Sequence, residues 1–218
     1  MKLTSTIFVG LFLLLGTAAL AQQHQAQEPP PKADVFLVYS YLRFNPTLPA
    51  GRNRSFNGGG GGFTFFMGKY FGLKGEFMGY GSTTFTTTVT APVTTNNGTI
   101  PVGTFRSQGN MFTYMFGPVV RLPGKVTPFA EVLFGGSNTN AYTGLVKSIN
   151  LGGGTLSATG TQHPFTMAYG GGLDVNVYHH VAIRPVEIDY VLTRYSNPFT
   201  GTNNQNNFRY LGGVVFNF

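Results

Sequence analysis

The sequence predicts an all-β fold, an eight-stranded antiparallel up-and-down transmembrane β-barrel. Three observations carry that expectation. Strand-like segments recur from Asp34 to the C-terminus, each at least about the 9–11 residues a tilted strand needs to cross a bilayer. The connections between them alternate between long and short. The last segment, Asn207 to Phe218, alternates with period two and ends the chain on an aromatic residue, where a soluble protein would usually fray.

The chain opens on an export signal. Lys2 supplies a positive start, Ile7 to Leu15 is a short apolar run, and Ala19-Leu20-Ala21 is a small-x-small cleavage site. Cleavage is expected between Ala21 and Gln22, which makes residues 1–21 a signal peptide. The apolar run is shorter than the roughly 20 residues of a spanning helix. Removing 21 residues from 218 leaves 197, a size at which all-β barrels remain one domain. Residues 22–33, polar and carrying a Pro triplet, read as a periplasmic linker, and residues 34–218 as the barrel.

The eight segments run Asp34–Asn45, Gly60–Lys69, Gly72–Phe85, Phe105–Val120, Thr127–Ser137, Pro164–Tyr178, Val181–Tyr195 and Asn207–Phe218. The first, third, fifth and seventh gaps are long and rich in Asn, Thr, Gly and Pro. The second (Tyr70, Phe71), fourth (Arg121 to Val126) and sixth (His179, His180) are short. Long loops on one side and short turns on the other are the outer membrane arrangement, and they place both termini in the periplasm.

Parity is clear in four segments. Leu73 and Phe77 oppose Lys74, Glu76, Met78 and Tyr80. In the sixth segment Phe165, Met167, Tyr169, Leu173 and Val175 oppose Thr166, Ala168, Asp174 and Asn176. Val186, Ile188, Tyr190 and Leu192 oppose Glu187, Asp189 and Thr193. Phe208, Tyr210, Val214, Phe216 and Phe218 oppose Arg209, Leu211, Val215 and Asn217. The first, second and fourth segments alternate too poorly to set a register.

Parity does not say which face is inside. A soluble barrel is apolar inside, and a membrane barrel inverts this. The export signal, the terminal aromatic and the aromatic strand ends favour the inverted form, and the Gly-x-Trp common in lipocalins is missing from a chain without Trp. Charged residues make up 10% of the chain, against about 25% in ordinary globular domains, which again fits a lipid-facing exterior.

An inverted barrel puts Lys74, Glu76, Glu131, Asp174, Glu187, Asp189 and Arg209 in the lumen. Ionisable groups at membrane depth belong inside, where they pair. Eight strands leave just enough room for side chains to fill, so an ion-pair network is expected, with a charged plug or narrow ion path as the other reading. Arg52, Arg54, Arg106, Lys147 and Arg194 lie in or beside the long loops. They could meet the anionic headgroups of lipopolysaccharide, because guanidinium matches phosphate geometry, or they are solvated loop charges.

Other chemistry is thin. The chain has no Cys, so neither lipid attachment nor disulfides arise. His179-His180 has no carboxylate set to complete a metal site, and no cofactor is expected. His163 is followed by Pro164 and Phe165, which breaks the His-x-Ser pattern of barrel lipid A deacylases. The glycine run from Gly58 to Gly62 lacks the Lys-Ser/Thr of a phosphate loop and is read as a strand entrance that allows twist or a bulge. Loss of Lys2 lowers the formal net charge from +7 to +6, but the bases are scattered and nucleic acid is not an expected partner.

On architecture and terminal motif, the chain from Asp34 to Phe218 resembles the OmpA/OmpX-type family of small outer membrane β-barrels. The family's assembly signal is polar-x-Gly-x-x-aromatic-x-aromatic. Gly213, Phe216 and Phe218 match it, while Leu211 stands where a polar residue is usual. The resemblance implies recognition by the barrel assembly machinery and residence in the bacterial outer membrane. It implies no peptidoglycan-binding domain, because the resemblance covers only the barrel. The expected role is non-enzymatic and structural or surface-interacting, through four extracellular loops over a filled lumen. A narrow porin-like channel and a lipid-A-modifying enzyme are the alternatives.

Overall fold

The computed structural model describes residues 30–44, 54–95, 98–139, 149–150, 152–153, 163–194 and 204–218. The export segment with Ala19 and Ala21, residues 22–29 of the linker beginning at Gln22, Arg52 and Lys147 lie outside the described residues.

Eight strands close into one barrel, and two short ones form a separate hairpin. The barrel strands are β1 (Ala33–Phe44), β2 (Arg54–Phe66), β3 (Phe71–Val89), β6 (Gly103–Arg121), β7 (Val126–Thr139), β8 (Phe165–Tyr178), β9 (Val181–Arg194) and β10 (Asn204–Asn217). Consecutive barrel strands pair antiparallel, and β1 pairs β10 through ten successive residue pairs from Asp34↔Asn217 to Arg43↔Phe208. Closure leaves no barrel edge, so the ladder hydrogen bonds are satisfied within the sheet, as a bilayer requires.

The side chains then sort by parity. Asp34, Phe36, Val38, Ser40 and Leu42 of β1 are buried, while Val35, Leu37, Tyr39 and Tyr41 are exposed. On β6, Met111, Thr113, Met115, Val119 and Arg121 are buried, and Phe112, Tyr114, Phe116 and Val120 are exposed. This supplies the registers that polarity alone leaves open. Carboxylates and guanidinium groups are inside, and an aliphatic-aromatic belt is outside. In water such a belt would be an aggregation surface, and in lipid it is matched to its solvent.

Turn chemistry closes one end. The β6–β7 turn carries Pro123 and Gly124, and Thr127 Oγ1 both accepts from the Gly124 N–H (3.2 Å) and donates to its carbonyl (3.1 Å). His179-His180 joins β8 to β9, and the His180 carbonyl accepts from the Asn217 N–H at 2.9 Å.

The structure departs from the sequence expectations in three places. The glycine run lies in the middle of β2, which begins at Arg54, and β2 pairs with β1 and β3 without a register shift. It therefore makes neither an entrance nor a bulge. Its work is steric: a Cβ on Gly60 would meet the Phe77 carbonyl oxygen at 2.0 Å and the Met78 sulfur at 2.7 Å. The second departure is in the third gap, expected to be loop. Strands β3 and β6 continue as a two-stranded ribbon from Thr83↔Gly109 to Val89↔Gly103, topped by the hairpin β4 (Val93–Thr95) and β5 (Gly98–Ile100). Ile100, Phe105 and Ile149 form a small core against Val89 beside this ribbon.

The third departure is a bulge on β9. Leu211 pairs Glu187 but Gly213 pairs Arg184, and Leu173 pairs Val186 while Val175 pairs Ile183. Against both neighbours β9 carries one extra residue at Pro185. Proline cannot donate to a ladder, and a bulge is the place inside a sheet where that costs least.

Candidate functional site

The lumen holds the chain's chemistry. All seven sequence-expected residues, Lys74, Glu76, Glu131, Asp174, Glu187, Asp189 and Arg209, are buried there, and the structure links them in one network. Lys74 is its hub. Its Nζ donates to both Glu131 carboxylate oxygens at 2.9 and 2.8 Å and to Glu187 Oε1 at 3.0 Å, and it lies 3.7 Å from Glu76 Oε2. From β10, Arg209 donates to Glu76 Oε1 at 2.5 Å and, through Nε and Nη2, to Asp189 Oδ2 at 2.9 and 2.7 Å.

Three further charges belong here that parity does not assign. Arg184 grips Asp174 with Nε (2.7 Å) and Nη2 (2.9 Å) and gives Nη1 to Glu187 at 2.7 Å. Ordinary alternation sends Arg184 and Glu187, three residues apart, to opposite faces. The extra residue at Pro185 brings both inside. Arg121 and Asp34 close the turn end. The Arg121 guanidinium stacks 3.2 Å from the centroid of Phe66, lies 3.6 Å from Asp34 Oδ2 and donates to the Pro31 carbonyl at 2.5 Å.

Aromatic faces complete the charged layer. The Phe36 ring lies 4.8 Å from Lys74 Nζ and 5.0 Å from the Arg184 guanidinium carbon, and Phe129 lies 4.4 Å from Arg184. Glycines make the space. A Cβ on Gly170 would stand 2.3 Å from Asp189 Oδ1, so the carboxylate can lie there only against hydrogen. What remains open at the turn end is a cavity of about 20 Å³ between Asp34, Thr64, Arg121, Thr127 and Asp174. That is room for about one water. Towards the loop end the lumen becomes apolar, with Met78, Met111, Met115, Leu42, Phe56, Leu133 and Leu211 packed together.

Glu76, Glu131 and Glu187 bring carboxylate oxygens within 4.8 Å of one another, the geometry a cation needs. The Lys74 ammonium already fills that position. The network is thus a plug that carries its own cation, covalently attached.

The remaining sequence-expected residues lie elsewhere. Gly213 faces inward on β10, while Phe216 and Phe218 point outward. The Phe218 backbone is held at the seam: its carbonyl accepts from Lys32 N (2.7 Å) and Ala33 N (3.1 Å), and its N–H donates to the Ala33 carbonyl at 2.8 Å. Leu211, where the terminal motif would have a polar residue, is buried in the lumen. Arg106 and Arg194 are exposed at the loop end, and Arg54 opens β2 at that end. Arg43 of β1, also exposed, is a loop-end base the sequence reading passes over.

No family model and no curated relative matches the chain. Solved structures do. Neisserial surface protein A superposes with a TM-score of 0.58 at 9% identity, over 88% of this chain and 100% of that one. The outer membrane protein OprG from Pseudomonas aeruginosa gives 0.54 at 12% identity, over 87% and 98%. Ail, the attachment invasion locus protein of Yersinia pestis, gives 0.50 at 12% identity, over 87% and 99%. At such identities the likeness is one of fold: the closed eight-stranded barrel of small outer membrane proteins.

Proposed function

We propose that the protein is an integral outer membrane barrel, non-enzymatic, that acts as a structural and surface-interacting element through its four loop-end segments. The observation that carries this is the inversion of polarity. A charged, hydrogen-bonded lumen sits inside an exposed belt of Leu37, Phe63, Phe77, Phe116, Ile188 and Phe216, an arrangement stable only when the belt meets hydrocarbon.

The plugged lumen argues for anchoring over conduction. Lys74, Arg184 and Arg209 each bond to carboxylates from more than one direction. An ion would have to displace them and then pass the methionine-rich layer above. The acids also argue against hydrolytic chemistry at the loop end. Six of the seven acidic residues line the lumen and the seventh, Glu28, precedes the barrel, so none is left to orient His163.

Partners follow from the same partition. Arg106 and Arg194 are exposed at the loop end and Arg54 opens β2 there, and with Arg52 and Lys147, which fall in the long connections of the sequence, they suit the phosphates of lipopolysaccharide. The outward Phe216 and Phe218, with Gly213, form the strand that the barrel assembly machinery reads. The deciding experiment is outer membrane fractionation together with gel mobility before and after heating. A heat-dependent shift in the outer membrane fraction is expected, and a soluble chain with no shift defeats the proposal. Well-defined channel openings in planar bilayers would instead replace the plug by a pore.

A further inference from the structure

The two rims of the barrel are both basic but not built alike. Among the described residues outside the lumen, the bases of the loop end are arginines: Arg43, Arg106 and Arg194 are exposed there, and Arg54 opens β2. The turn end carries Lys32, Lys69 and Lys125 and no arginine, since its single arginine, Arg121, is turned into the lumen. All three lysines are exposed. They are spread around the mouth: Lys32 before β1, Lys69 between β2 and β3, and Lys125 between β6 and β7. The fourth corner, between β8 and β9, carries His179 and His180.

Each corner stands over exposed apolar or aromatic surface. Lys69 Nζ lies 5.4 Å from the ring centroid of Tyr70, itself exposed beside Phe71. Phe65 and Phe218 flank Lys32, and Tyr178, 79% exposed, precedes the histidines. Aromatic rings under a cationic rim are the profile of the headgroup zone. Arginine's fork selects structured, bidentate anions, whereas lysine is a mobile point charge that suits a diffuse layer of singly charged phosphodiesters.

We propose that the turn-end rim, Lys32, Lys69 and Lys125 above its aromatic belt, is a binding surface for the anionic phospholipid headgroups of the leaflet it faces. The proposal rests on reading the chain as a membrane barrel. The charge complementarity is complete at the turns, where no acid competes for the lysines. Asp34, two residues from Lys32, is turned into the lumen beside Arg121.

The test uses the full mature chain folded into vesicles of equimolar phosphatidylcholine and phosphatidylglycerol, with retained lipid counted by native mass spectrometry. Heat-dependent gel mobility checks folding separately, so failure of the barrel is distinguishable from failure of the lipid site. Phosphatidylglycerol should be retained preferentially, by about fivefold for each engaged lysine, and the preference should collapse in concentrated salt. Lys32→Gln, Lys69→Gln and Lys125→Gln together should remove it. Arg43→Gln, a charge removed from the opposite rim, should leave it intact. An unmodified protein with no preference overturns the proposal. So does a preference that survives salt or the lysine substitutions, or one that Arg43→Gln abolishes. Where the lysine variant does not fold, the salt dependence of the unmodified protein decides.

Discussion

Arg209 on β10 reaches across the inner faces of β1 and β2 to donate to Glu76 on β3 at 2.5 Å. The two residues are 133 positions apart in sequence. The bond ties the last strand to the third from inside the lumen, independently of the seam ladder between β1 and β10. With Asp189 on its other side, Arg209 joins three strands through one side chain.

Breaking such a node from one side leaves a buried charge unpaired. Lys74→Met strips the ammonium from Glu131 and Glu187, and it should cost about 3–5 kcal/mol in reversible urea unfolding. Adding Glu131→Gln in that background should recover part of the loss, because one stranded carboxylate is removed. A double variant no more stable than Lys74→Met alone would show that the two charges are not coupled.

The lipid face predicts a different kind of penalty. Phe116 lies mid-way along the barrel part of β6, 46% exposed and packed edge-on to Phe77 at 5.6 Å between centroids. Phe116→Arg should cost about 2–4 kcal/mol in vesicles, as a cation near the midplane does. A substitution without effect on the unfolding midpoint would place Phe116 outside the hydrocarbon layer.

Glycine positions divide sharply. At Gly170 an added methyl would meet the Ile188 carbonyl oxygen at 2.1 Å and Asp189 Oδ1 at 2.3 Å, whereas at Gly79 the nearest atom is 3.9 Å away. Gly170→Ala should destabilise by about 1–3 kcal/mol through overpacking. Gly79→Ala should be neutral or stabilising by about 0.4–1 kcal/mol, because it narrows the unfolded ensemble. Unfolding midpoints of the two variants, compared side by side, check the contrast.

Deleting Pro185 should undo the bulge. With regular alternation restored along β9, Arg184 and Ala182 would exchange faces with their neighbours, and a guanidinium would meet lipid. The expected outcome is loss of the heat-dependent gel shift, while Pro185→Ala, which keeps the residue count, should retain it.

Phe218→Ala separates the ring from the backbone at the seam. The backbone bonds to Lys32 and Ala33 survive this change, so the unfolding midpoint of purified folded protein should move by less than about 1 kcal/mol. Assembly in cells should fall clearly, measured as the heat-shifted fraction in the outer membrane. Equal loss in both measurements would make the ring a stability element and not an assembly signal.

Much of this architecture is legible in the sequence, and the gaps have physical causes. Lys74, Glu76, Asp189 and Arg209 stand in stretches where one parity is apolar and the other carries the charges, with no inserted residue between them and their nearest neighbours, so their side of the wall follows from parity. Arg184 does not, because a parity argument assumes that no residue is inserted, and the insertion at Pro185 is a property of pairing with β8 and β10. Asp34 and Arg121 stand at strand ends, where alternation has too few neighbours to speak. The β3–β6 ribbon is hidden by its composition: threonines that read as loop between polar neighbours are good strand formers once a partner strand is present. The registers of β1, β2 and β6 are obscured by glycines and by aromatic residues on both parities, and they become clear only when strands with stronger alternation are set beside them.

The seam between β1 and β10 has one more consequence. Every other join in the barrel wall links strands that follow one another along the chain, so each can form as a local hairpin. The seam alone must bring together the two ends of the barrel, and its ten pairs run without a shift, with Lys32 N–H bonded to the Phe218 carbonyl at 2.7 Å. Viewed as a ring, the wall has eight joins, and the covalent break falls at one of them by accident of gene order. A circular permutant that links residue 218 to residue 30 through a short turn, and opens the chain at a loop-end connection such as that between β9 and β10, therefore keeps every wall contact. It would turn the β10–β1 join into a local hairpin and move the slow, long-range closure to the join between β9 and β10.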